Sequence, residues 1–245
     1  MESEVSLAAG NRASSLTLTV MNRYVLNLKG IPYKTEWVEY PDIESRWKEL
    51  GIPHTSLKPD GSPFYTVPAI HDPSTGVYLS ESIDIAEYLD KTYPDTPCMF
   101  PHNTLGLLSP FNDLVGSYLA ALWQFIVPVV CVRLNPASQG YFRTTREAIF
   151  GKNMDDVVPK GDLVTTEWAK VKEGMGKVDV LYSKTNGPYL MGDALSWGDV
   201  VVAAHLAFMR AIWGEDSQEW RDISSWHDGR WKRVVDDFEK YATVV

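Results

Sequence analysis

Cysteine is nearly absent. Cys98 and Cys131 are the only two in 245 residues, and they stand 33 positions apart. They form no CxxC pair and no disulfide framework is expected, which fits a chain that works in the reduced cytoplasm. Histidine is scattered, at 54, 71, 102, 205 and 227. No His/Cys group has metal-ligand spacing, so no metal site is expected. Positive charge is in deficit: 23 Lys and Arg face 32 Asp and Glu, a net charge of −9. That argues against a phosphate-reading surface for nucleic acid and disfavours anionic membranes as partners. No apolar run reaches the ~18 residues of a membrane span. The most apolar stretch, "YLAALWQFIVPVVCV", holds Gln124 and Pro128 and reads as a buried helix. Glu2 and Glu4 stand where a secretion signal carries positive charge, so no secretory leader is expected.

What is present is a globular composition with 44% hydrophobic residues, enough chain for two domains of ordinary size. Residues 21–93 alternate helix and strand. "MNRYVLNLKG" has a helical apolar face, stops at Gly30 and is followed by Pro32. "YKTEWVEY" alternates like a strand, and "DIESRWKELG" is helical to Gly51. "SLKPDGSPF" is a loop by composition. "TVPAIHD" and "GVYLS" are short strands around the turn "DPSTG". "SIDIAEYLDKTYP" is an amphipathic helix. A strand is expected before the first helix, and "SLTLTV" (15–20) is the available text, although no loop separates it from Met21.

Residues 94–108 hold three prolines. We place the first domain at 1–95 and the linker proper at 96–108. Strand periodicity then ends. Helices are expected at about 109–134, with a kink at Pro128, and at 138–151, 162–184, 196–213 and 228–241. The expected architecture is an α/β domain followed by an all-helical one at 109–245.

Pro68 lies inside the apolar run "FYTVPAIHD", where a proline is foreign to a central strand. Glu81-Ser82 follows 13 residues later and opens a helix. Thr66-Val67-Pro68 with Glu81-Ser82 resembles the thioredoxin-like half of a glutathione transferase. The resemblance implies a cis Pro68 that leaves the Val67 backbone open to pair with the cysteinyl part of glutathione. It also implies that Ser82, at a helix N-terminus, takes the γ-glutamyl carboxylate, and that Glu81 faces the γ-glutamyl ammonium. Read plainly, Pro68 is a trans edge proline, Ser82 an N-cap and Glu81 a solvated charge; the order and spacing favour the ligand site.

"NGPYLMGDALSWGDVVVAAHL" is similar to the helical-domain signature of the same family. Ser196 is an N-cap and Asp199 the reciprocating carboxylate of a capping box, a structural pair. "RYVLNLKGIPYKTEWVEYPDIE" and "KPDGSPFYTVPAIHDPSTG" carry a closer resemblance, to the fungal omega-like, etherase-related class. Relatives of that class carry a catalytic Ser in a Trp-Ser-Pro-like loop. Matching Arg23 puts that position at Leu16, so Ser15 and Thr17 are the candidate thiol-activating residues. A shift of one residue in a strand turns a side chain to the other face, so impaired thiol activation with retained glutathione binding is expected. Lys58 and His54 lie in a loop within reach of the glycyl carboxylate; Lys58 is the candidate, and a solvated charge the plain alternative. Tyr118, Trp123 and Phe125 are the candidate acceptor-pocket aromatics, with core packing as their alternative.

The expected function is glutathione-dependent conjugation or reductive cleavage of small aromatic electrophiles, with glutathione as co-substrate, in a possible homodimer. A non-catalytic binder of glutathione and aromatic ligands is the alternative.

Overall fold

The structure, a computed structural model, describes residues 5–10, 17–58 and 60–245. In chain order the first half contains β1 (Val5–Gly10), α1 (Thr17–Lys29), β2 (Tyr33–Val38), α2 (Ile43–Leu50), β3 (Ser56–Leu57), β4 (Pro63–Phe64), β5 (Ala69–Asp72), β6 (Val77–Ser80) and α3 (Ser82–Thr92). The four-stranded sheet runs β2-β1-β5-β6; β1 and β2 are parallel and the other pairs antiparallel. This is the βαβ–ββα order of a thioredoxin-like domain. The loop read at 56–64 contributes a two-stranded clip, β3-β4.

The opening strand lies earlier in the chain than expected. "SLTLTV" is not that strand, because Thr17 is already the first residue of α1. The misreading has a physical cause. Thr17, Thr19, Val20, Met21 and Asn22 are all buried, since α1 lies between the sheet and a helix of the second domain. A helix covered on both sides has no period-3.6 stripe, and a short apolar-polar alternation then imitates a strand.

The linker is fastened along its length. Lys29 Nζ, whose side chain is fully buried, pairs with Asp90 at 2.6 Å, and the Asp90 carboxylate accepts the N–H groups of Met99 and Phe100. Met99 is itself buried, and its carbonyl accepts from Trp197 N at 2.7 Å. Residues 101–103 form a 3-10 turn, and Leu105–Leu108 (α4) is helical.

The second half is all helical: α5 (Phe111–Tyr118), α6 (Trp123–Arg133), α7 (Pro136–Phe150), α8 (Leu163–Tyr182), α9 (Trp197–Trp213) and α10 (Gln218–Phe238). The single helix expected at 109–134 is instead a pair bent by 49°, broken at Leu119 and not at Pro128, where α6 continues. Gly174 of α8 explains the place of the break. A Cβ there would lie 1.9 Å from the Tyr118 carbonyl oxygen, so α8 packs backbone to backbone against the interruption. The helix expected at 228–241 corresponds to the part of α10 that follows its interruption, and a further helical part, opening at Gln218, precedes it. Ser217 Oγ caps α10 by accepting from Trp220 N, and non-helical residues Trp226–Gly229 interrupt it. α9 is the core helix of this half, with Val200, Val201, Ala203 and Met209 fully buried. No single helix among the described residues is long and apolar enough to cross a membrane.

Candidate active site

The Val67–Pro68 peptide is cis. β5 begins only at Ala69, and neither the N–H nor the C=O of Val67 has a hydrogen-bond partner among the described residues. The segment is held from behind, where Trp47 Nε1 of α2 donates to the Thr66 carbonyl at 2.9 Å. Thr66 Oγ1 also reaches Thr55 Oγ1 at 3.2 Å. The result is a fixed backbone edge with one free donor and one free acceptor.

Ser82 is the first residue of α3 and is buried; the Asn22 amide of α1 donates to its carbonyl at 3.1 Å. The first N–H groups of a helix have no acceptor within the helix and carry its positive dipole end, so they suit a carboxylate. Glu81 precedes it at φ 75°, ψ 121°, in the left-handed half of the map. Holding a non-glycine residue there costs of order 1–3 kcal/mol, which surrounding structure must impose. The Glu81 carboxyl is held above the usual carboxylate range, first by desolvation and then by Asp84 and Asp113. Three carboxylates of like sign around one point favour a cation arriving there. Asp113 comes from α5 of the helical domain, and no sequence signal marked it.

Between the domains lies a cavity of about 680 Å³. Thr17, Phe64, Tyr65, Thr66 and Val67 wall it from the first domain; α5, α6, α7 and α9 wall it from the second. The two sides are tied at its edge. The Glu39 carboxylate accepts from Asn135 Nδ2 at 2.6 Å and from Ser138 Oγ, and Tyr40 N donates to Ser138 Oγ at 3.0 Å. Tyr40 and Tyr141 stack across this joint, and both line the cavity.

The structure brings together some of the expected residues and separates others. Thr17 stands at the first turn of α1 on the cavity wall shared with Val67. Ser15 and Leu16 lie outside the described residues. Trp123 lines the cavity, but Tyr118 and Phe125 do not. The break at Leu119 resets the helical phase: Tyr118 turns to an outer groove under Lys177, and Phe125 packs edge-on against Trp168 at 5.1 Å. The Lys58 ammonium lies 3.5 Å from Glu44. His54 meets Tyr65 edge-on, with 6.2 Å between ring centroids. Ser196 and Asp199 form the expected capping box: Asp199 accepts from Ser196 N and Oγ and from Leu190 N, all within 2.9 Å. Beside Asp113, Arg146 and His205 are polar cavity residues that passed unmarked in the sequence. Arg146, set over the Phe142 ring at 4.5 Å, is in an ordinary charged helix face. His205 is a lone histidine in the apolar run "VVVAAHLAFMR".

The fold and these residues define a glutathione transferase architecture, and the comparisons agree. Residues 19–92 match the model of the glutathione S-transferase N-terminal domain, and residues 107–241 match that of the glutathione S-transferase C-terminal domain. The chain belongs to the glutathione S-transferase family. It is 30% identical over 229 residues to the glutathione S-transferase-like protein ustS of Aspergillus flavus, covering 86% of this chain and 79% of that one. Among solved structures it is 39% identical to the glutathione S-transferase CsGST63524 of Ceriporiopsis subvermispora in complex with glutathione, with a TM-score of 0.92 and 99% of each chain covered. Glutathione transferase GSTFuA3 of Phanerochaete chrysosporium is 35% identical, with a TM-score of 0.91, covering 99% of this chain and 98% of that one. An Omega 3C transferase of Trametes versicolor, 18% identical with a TM-score of 0.56, shares the fold alone.

Proposed function

We propose that the protein binds glutathione along Val67, Glu81 and Ser82 and joins its sulfur, still part of the tripeptide, to an aromatic electrophile held in the interdomain cavity. One observation carries this reading. Val67, whose backbone donor and acceptor have no partner among the described residues, and Thr17, the first described residue of α1, wall the same cavity. A tripeptide paired with Val67 has its cysteinyl sulfur directed to that wall. Its γ-glutamyl end extends to Ser82, with the ammonium between Glu81 and Asp113. The Thr17 hydroxyl donates to the sulfur, and the first N–H groups of α1 face the same charge.

The energetics suffice. Lowering a thiol pKa of ~8.5 by about two units takes about 2.7 kcal/mol. One hydrogen bond to a charged group supplies ~1.5–3 kcal/mol. A helix N-terminus adds ~0.3–1 kcal/mol. The thiolate then attacks the electrophilic carbon, forming the S–C bond as the leaving group departs with its electron pair. The second domain contributes an apolar wall, Trp123, Val127, Val130 and Phe208, which suits an aromatic acceptor.

Titration calorimetry with glutathione tests the binding half. Glu81→Ala and Ser82→Ala should each weaken binding by about 1–3 kcal/mol. Undiminished affinity in both variants would remove the γ-glutamyl assignment.

A further inference from the structure

His205 is 5% exposed, yet it lines the interdomain cavity. Its Nδ1 lies 2.9 Å from the Val201 carbonyl oxygen one turn back on α9. A carbonyl oxygen only accepts, so Nδ1 carries the proton. Burial pushes the imidazole pKa down to about 4, so the ring is neutral at physiological pH. In a neutral imidazole protonated at Nδ1, Nε2 is an acceptor and nothing else. No hydrogen-bond partner meets Nε2 among the described residues, and it is not among the sealed unpartnered side-chain atoms. The other opening beside this ring is an apolar void of about 10 Å³. That is at the lower limit for even one water, which also needs polar partners to hold it. Of these two openings among the described residues, the large cavity is the one with room to bring His205 a donor.

The surroundings sharpen the point. Asp113 and Arg146 also line the cavity, but Asp113 is exposed and Arg146 half-buried. His205 is the deep one, beside the Trp123 ring at 6.5 Å and with Val127 and Phe208 on the same wall. A lone acceptor in an apolar wall discriminates by penalty. A ligand that offers a hydroxyl or N–H satisfies it, whereas one without a donor strips Nε2 of water and returns nothing.

We propose that His205 is the specificity-determining residue of the cavity, with Nε2 accepting a hydrogen bond from an aromatic ligand that carries a hydroxyl or N–H at its buried end. This deepens the assignment of the cavity as the acceptor site and rests on it.

The test uses 2-naphthol and 2-methoxynaphthalene, which share a ring system and differ in whether the oxygen can donate. Binding of each to the intact protein is followed by tryptophan fluorescence, Trp123 lying beside the site. Wild type should bind 2-naphthol about fivefold or more tightly. His205→Leu should abolish that preference while retaining 2-methoxynaphthalene. The nitrogen resonance of His205 Nε2 in wild type should move with 2-naphthol and not with 2-methoxynaphthalene, a readout independent of how well the variant folds. Equal binding of the two probes in wild type, or an unchanged preference in His205→Leu, would overturn the role of His205 and leave the cavity assignment standing. Binding of neither probe would overturn the cavity assignment itself and this inference with it.

Discussion

Asp72 and Asp199 are both buried carboxylates, and their surroundings act on them in opposite directions. Burial alone raises both. At Asp72 that effect is outweighed by Ser74, whose N–H and hydroxyl donate at 2.9 and 2.6 Å, and by the Tyr93 and Tyr88 hydroxyls at 2.7 and 2.8 Å. The carboxyl ends below its usual value. At Asp199 desolvation prevails over the donors from Leu190 and Ser196, and the carboxyl ends above it. The signs follow by linkage. Asp72 binds a proton more weakly folded than unfolded, so its stabilisation is present above the unfolded Asp value of about 3.9 and is lost as pH falls through the folded one. Asp199 binds a proton more tightly folded, so its ionisation at rising pH withdraws stability. Asp72→Asn should therefore cost about 1.5–3 kcal/mol at pH 7, the scale of a hydrogen bond to a charged group. Denaturant titrations at descending pH should show the gap to wild type closing below the carboxylate range; a gap independent of pH would assign the loss to packing. Neither carboxylate's balance is legible in sequence. "HDPSTG" announces a turn, but Tyr88 and Tyr93 reach Asp72 only through the fold.

The elements with strong local signals were readable: β2 and α2, the hairpin β5-β6, α3 and the capped α9. Each has its own punctuation, Gly51 after α2, Gly76 in the hairpin, the Ser196–Asp199 box before α9. The failures have one cause, which is packing from outside the element. α1 is covered on two sides and reads as a strand at its start. The helix over 109–134 contains a proline that suggests a kink at 128, yet it breaks at Leu119, where α8 presses against it. That break decides which aromatics face the cavity: Trp123 lines it, and Tyr118 and Phe125 do not. Gly174→Ala probes the contact directly. A Cβ 1.9 Å from the Tyr118 carbonyl cannot be accommodated without backbone movement. The variant should lose about 1–3 kcal/mol in thermal or chemical denaturation, the usual cost of overpacking. The fluorescence of the cavity tryptophan should change with it. Wild-type stability in Gly174→Ala would mean that α8 and the α5–α6 break do not touch as described.

Across the whole molecule, the two domains divide the work. The first presents a peptide edge at Val67 and a helix start at Ser82; the second supplies the apolar cavity walls, Asp113 and His205. The cis Pro68 and the helix start at Ser82 were expected, because contiguous motifs carry the family resemblance that implies them. The part of the site built between domains was not, because Asp113, Arg146 and His205 gain their meaning only from what faces them. The placement of Thr17 in a helix, and not in a strand, changes the expectation for the chemistry. Thr17, the first described residue of α1, lines one wall with Val67, where a strand's alternation would turn one of two neighbours away. Thiol activation in the interdomain cavity is measured by a spectrophotometric titration of bound glutathione between about pH 5 and 10. The bound thiol should titrate about two units below the free value of ~8.5, and Thr17→Val should move it back toward that value while glutathione stays bound. A bound thiol that titrates at the free value, identically in wild type and Thr17→Val, would contradict thiol activation and leave a binding protein without the transferase chemistry.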